Sequence, residues 1–146
     1  MAASASASCL RPALGLSNEM RKAVIIIIGL GLLAFGPLAL LFPETAASLY
    51  GIPADTPEPR AYLFAAATRD VAIGCLLFAL LGLRANSRIL AASVFAISVV
   101  AAADAANVIA HTGWRGSNAP VIHVGGLCVL LAVGCWLWRA PAGSDD

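Results

Sequence analysis

AYLFAAATRDVAIGCLLFALLGL, residues 61–83, is the stretch that decides the fold. As a helix it is about 34 Å long at 1.5 Å per residue, enough to cross a hydrocarbon core. A surface helix of a soluble protein would carry polar residues along one whole face. Here they are confined to one step in the middle, Thr68-Arg69-Asp70. The stretch reads as a transmembrane helix with a charged step. An ionised side chain inside a span costs roughly 2.5–3.5 kcal/mol on insertion scales, so it needs a partner on another helix or a polar cavity.

Working outward, Arg84, Asn86, Ser87 and Arg88 form a short basic turn. A further span follows from Ile89 to His111 and carries Asp104 and Asn107. Thr112 to Ala119 is a polar turn, with Trp114 as an interfacial anchor. Pro120, suited to a helix start, opens a last span that ends at Trp138, where Trp136, Trp138 and Arg139 mark an interface. Upstream, Pro43 to Pro59 is expected as a loop, because Pro43, Pro53, Pro57 and Pro59 sit there among Glu44, Gly51, Asp55 and Glu58. Within it, residues 46–50 form a short interfacial turn that puts Tyr50 at headgroup level. Ala23 to Phe42 is uncharged and longer than the 7–15 apolar residues of a signal peptide, so it is a retained first span, kinked near Gly36-Pro37. The expected fold is all-α, an antiparallel four-helix transmembrane bundle over residues 21–139, with spans at about 23–42, 61–83, 89–111 and 120–138. Residues 1–20 are expected as a disordered Ala/Ser-rich tail and 140–146 as a polar tail.

Composition agrees. Of 146 residues, 60% are apolar and 12% charged, with a net charge of +1, against roughly 25% charge in soluble domains. No basic run exceeds Arg21-Lys22, which excludes a nucleic-acid partner on electrostatic grounds. Cys9, Cys75, Cys128 and Cys135 make no CxxC pair, and those in the spans are expected to pack as small hydrophobes. Gly125-Gly126 is expected at a close helix contact. No GxSxG or HExxH is present, and no motif names a cofactor. Asp104, His111 and His123 lack metal-ligand spacing, so no metal site is expected. With the N-terminus in the cytoplasm, Arg11, Arg21, Lys22, Arg84, Arg88 and Arg139 lie inside and only Arg60 and Arg115 outside, so both termini are assigned to the cytoplasm.

Depth arithmetic brings the intramembrane charges together. Arg69 lies about 12 Å from the outer start of its span and Asp104 about 10 Å from the outer end of the antiparallel next one. The simplest way to satisfy both is a cross-helix ion pair. Asp70 does not face its neighbour Arg69, by the usual helix geometry, and needs another partner such as His123, His111 or water. Ser93, Asp104 and His111 fall near one line of the third span, with Asn107 beside it, while Ala102, Ala106 and Ala110 make a small-residue stripe for close packing on the other side. Tyr62 shares the face of Arg69, and His123 enters from the first turn of the last span. The polar groups thus gather in the outer half and leave the inner half apolar.

Phe42-Pro43-Glu44, Tyr50-Gly51-Ile52-Pro53, Arg69-Asp70 with Gly74 four residues on, Asp104 with Asn107, and His123 together resemble the small membrane family known as domain of unknown function 4267. The resemblance covers about Ala23 to Trp138. It implies a four-helix protein distantly like DoxX, with no established activity. Fungal members near natural-product genes imply a tailoring role.

Two kinds of function are open to the cluster. One is a pocket for a lipophilic small molecule, and within it a tailoring enzyme of isomerase, cyclase or oxygenase type. Asp104 would then serve as acid or base, Arg69 would orient it or hold an oxyanion, and Asn107, His111, His123, Asp70 and Tyr62 would bind substrate. The other is non-enzymatic: a small-solute carrier, or an accessory subunit, a homo-oligomer included, in which the ion pair is only structural. His111 alone also fits a cap at a helix C-terminus.

Overall fold

Helix formation follows the apolar runs. The computed structural model describes residues 7–51, 57–114 and 118–140, with side chains from Asn18 onward. Its elements are α1 (Ala7–Leu41), α2 (Pro43–Tyr50), α3 (Pro57–Gly82), α4 (Ser87–Thr112) and α5 (Ala119–Trp138), with no strand among the described residues. Asn18–Leu41, Pro57–Gly82, Ser87–Thr112 and Ala119–Trp138 are each long and apolar enough to cross a membrane. The protein is therefore an all-helical, multi-pass membrane protein. Large apolar side chains such as Ile27, Leu40, Val99 and Val129 point outward, the surface that lipid solvates and water does not.

The ends show the largest differences from expectation. Helix α1 begins at Ala7, so the described part of the segment expected as a disordered tail is helical. Alanine is the best helix former, and the apolar span downstream supplies the nucleus. Residues 1–6, Pro53, Asp55, Arg115 and the tail 141–146 lie outside the described residues. The stretch expected as a loop after Phe42 is the helix α2, with Pro43 in its first turn, where a missing N–H costs nothing. It stops at Gly51, whose left-handed φ of 78° returns its N–H to the Ala47 carbonyl. At the other end of the bundle, the Asn86 side chain accepts from the Ile89 N–H at 3.0 Å and starts α4.

The helices pack as two pairs, α1 with α3 and α4 with α5, while α3 and α4 touch only lightly. Glycines set the first contact. A Cβ on Gly74 would stand 3.0 Å from the Gly29 carbonyl oxygen, so the glycine that follows Arg69-Asp70 is where the α1 and α3 backbones meet. Gly134 makes room for the Phe95 ring in the second pair. Helix α2 lies across one end and touches α1, α3 and α5. Its Ala46, Ala47 and Tyr50 pack with Ala39, Leu63, Ala66 and Ala67, while Ile25, Leu77, Val94 and Leu137 fill the opposite half.

Three packing expectations are corrected. Ala102, Ala106 and Ala110 are exposed on α4 and touch no facing helix as a stripe. Cys75, Cys128 and Cys135 are exposed as well; a thiol is apolar enough to face lipid, so an apolar run does not distinguish core from lipid. Nothing lies within 4 Å of a Cβ placed on Gly125 or Gly126, so these two glycines serve no close helix contact.

Candidate ligand site

The site begins with one side chain. Arg69, on the middle of α3, reaches across to α4 and grips Asp104 through both oxygens, Nη1 to Oδ1 at 3.0 Å and Nη2 to Oδ2 at 2.8 Å. The fork of a guanidinium matches a carboxylate in this two-bond form, the strongest that such a pair takes. The pair joins the two helix pairs where they otherwise touch lightly.

Arg69 also donates to its neighbour, Nε to Asp70 Oδ1 at 3.0 Å and Nη2 to the same oxygen at 2.9 Å. This corrects the expectation that Asp70 must look elsewhere. The rule for adjacent residues concerns where Cβ atoms point, and an arginine is long enough to curl back past it. One cation thus holds two carboxylates, with side-chain exposures of 16% for Asp70 and 10% for Asp104.

Tyr50 completes the site and was missed in the sequence. Expected at headgroup level, it is only 4% exposed. Helix α2 folds back over the bundle and ends on Gly51, against Ala119 of α5. That turns the ring inward, where it stacks on Phe35 at 5.8 Å and meets Tyr62 and His123 edge-on at 6.1 and 4.8 Å. The His123 Nε2–H donates to the Tyr50 carbonyl at 3.1 Å, one of the orphan carbonyls of a helix end. Nδ1 is then the acceptor of the neutral ring. The Tyr50 hydroxyl, by contrast, is buried with no hydrogen-bond partner. It lies near enough to Asp104 and Arg69 to feel both charges: burial, then Asp104, push the phenol well above its ordinary value, and Arg69 opposes them. It is a neutral donor at physiological pH.

These groups line a cavity of about 330 Å³ between the helix pairs. Tyr50, Arg69, Asp70, Asp104 and His123 form its polar end, and Leu32, Ile73, Ile97 and Leu130 its apolar walls. Gly31 on α1 and Ile122 and Gly126 on α5 are lining residues that are also exposed, so the mouth opens between α1 and α5 on the lipid-facing side.

The other candidate residues lie apart. Tyr62, Asn107 and His111 line a neighbouring cavity of about 480 Å³ with Glu58 and Thr112. There the Asn107 amide donates to the Tyr62 hydroxyl at 3.0 Å. His111 is exposed and bonds through Nδ1 to the Asn107 carbonyl oxygen at 2.8 Å, the position of a cap at the end of α4. The edge contact of the Tyr50 and Tyr62 rings links the two cavities. Ser93 bonds to the Ile89 carbonyl of its own helix and faces neither. Among the described residues, no group of three His, Cys, Asp or Glu is placed to hold a metal ion.

The family model described as "Domain of unknown function (DUF4267)" matches residues 29–137 of the chain. No match was found among curated proteins or among solved structures.

Proposed function

We propose, taking as premise that the chain belongs to the DUF4267 family, that its membrane-embedded cavity binds a lipophilic small molecule by one oxygen-bearing end and tailors it by proton transfer. The Tyr50 hydroxyl carries this reading. A buried polar atom without a partner costs roughly 1–3 kcal/mol, and here the residue that carries it lines a cavity. A carbonyl or hydroxyl oxygen of a guest would satisfy it. The apolar walls suit the rest of such a molecule, and about 330 Å³ falls within the range of ligand pockets. The mouth between α1 and α5 admits it from lipid.

In this reading the roles shift from those expected. Tyr50 is the hydrogen-bond donor to the guest's oxygen. Arg69 and Asp104 fix the polar end of the cavity, because both oxygens of Asp104 are already engaged. Nδ1 of His123 and the second oxygen of Asp70 are the groups left to take up a proton. Isomerisation and cyclisation need no more than these transfers. A through-path for a solute has less support, since the opposite half is closed by Ile25, Leu77, Val94 and Leu137.

Benzophenone, a lipophilic ketone that cross-links on illumination, tests the binding step. Saturable labelling of the α5 segment 122–130 is expected, reduced about three- to tenfold in Tyr50→Phe, for a lost hydrogen bond of roughly 1 kcal/mol. Equal labelling of wild type and variant contradicts the proposal. A purely structural ion pair is the second reading, supported by the two-bond geometry. The charge swap Arg69→Asp with Asp104→Arg separates the two. If the swapped protein both folds and labels as wild type, the pair is structural. If it folds and labelling falls, the pair serves the site.

A further inference from the structure

The end of the bundle remote from Tyr50 holds a cavity of different chemistry. It measures about 430 Å³ and lies between the start of the α1 span, the turn joining α3 to α4, and the first turn of α4. Arg21, Lys22 and Arg84 line it, and none of the described lining residues is acidic. Arg21 is only 6% exposed, so its guanidinium is committed to the interior wall. Arg84 sits in the turn at a left-handed φ of 54°. Lys22 and Arg84 are exposed. Lys22 pairs with Glu19 at 2.8 Å, with side chains 50% and 74% exposed. A surface pair of that kind is worth about 0.5 kcal/mol and yields readily to a stronger anion. Ser87, the first residue of α4, brings the positive end of a 26-residue helix to the same wall. Ile26, itself exposed, and Leu81 add apolar surface to the lining.

We propose that this cavity binds a phosphate-bearing anion, namely the headgroup of an anionic phospholipid. Arg21, Lys22 and Arg84 meet the phosphate while Ile26 and Leu81 seat the start of an acyl chain. A free phosphate would use the same cations and would leave the apolar wall idle. The basic-residue asymmetry assigns this end to the cytoplasmic leaflet, where anionic lipids concentrate. The site is independent of the reading given to the Tyr50 cavity.

The full chain in a neutral detergent, melted by tryptophan fluorescence, provides the test. Dioctanoyl phosphatidylglycerol is expected to raise Tm saturably by roughly 4–8 °C, as a ligand of the folded state does, and dioctanoyl phosphatidylcholine is expected to leave it unchanged. Lys22→Gln with Arg84→Asn is expected to weaken the half-saturating concentration about tenfold without moving the lipid-free Tm; asparagine tolerates the left-handed turn. Arg88→Gln, at the same end but outside the cavity, should respond as wild type. Should glycerol phosphate protect as well as the lipid, the anion site stands and the lipid assignment falls. Protection by phosphatidylcholine, or an undiminished response in the double variant, overturns the site.

Discussion

Arg69 is the residue on which the polar site depends, because one guanidinium satisfies two carboxylates in a membrane span. Arg69→Gln leaves both without a cation and is expected to destabilise the protein by about 3 kcal/mol, the lower end for breaking such a pair, read as a lower melting temperature in detergent. Arg69→Lys should recover little, since an ammonium lacks the fork that reaches Asp104 and Asp70 together. Tyr50 behaves in the opposite way. Tyr50→Phe removes a hydroxyl with no partner and should leave stability unchanged or raise it by up to about 1 kcal/mol. The same group gives a pH dependence. Its value is raised in the folded state, so the unfolded chain loses that proton first. The contribution is whole below about pH 10 and fades above it. Phe at position 50 should remove that part of the alkaline loss. The pairing of Arg69 with Asp104 was legible in the sequence because depth along antiparallel spans is simple arithmetic. The bond from Arg69 to Asp70 was not, because it depends on how a long side chain curls. Tyr50 was not legible either, because its burial comes from a distant contact of Gly51 with Ala119.

At the scale of elements, the four spans were readable from apolar length alone, within a few residues of Pro57–Gly82, Ser87–Thr112 and Ala119–Trp138. What length could not supply was the role of α2. Four prolines between Phe42 and Arg60 argued for a loop, yet Pro43 stands where a helix tolerates it and Gly51 supplies the stop. Ala and Cys on α4 and α5 were misplaced for a related reason: in lipid, an apolar face does not say which way it points. Helix α2 is the element that carries Tyr50 into the site, and Gly51 holds it there. Gly51→Ala would force a Cβ into a left-handed position and onto Ala119. A loss of about 1–2 kcal/mol is expected from the backbone alone. Faster amide exchange confined to α2 should accompany it, with the spans unchanged. Uniform loss of protection across all helices would show that α2 is not a separately docked element.

For the whole molecule, the division into an α1–α3 pair and an α4–α5 pair explains where a cavity can exist. One strong ion pair and one short helix bridge a seam that is otherwise lightly packed. The seam is polar toward α2, apolar toward the other end, and open to lipid beside Gly126. A leucine at Gly126 would meet no atom in its way near the backbone, and it would favour helix over glycine by roughly 0.5–1 kcal/mol. It should therefore obstruct the cavity mouth without weakening the fold, unlike a change to Arg69 or Asp104. The decisive measurement is peptide-mapped benzophenone cross-linking of wild type beside Gly126→Leu, at matched melting temperature. Saturable labels on the cavity wall of the wild type, lost in Gly126→Leu, are predicted. Labels of equal yield in both proteins, or scattered evenly over the lipid-facing surface, would contradict a guest-binding cavity.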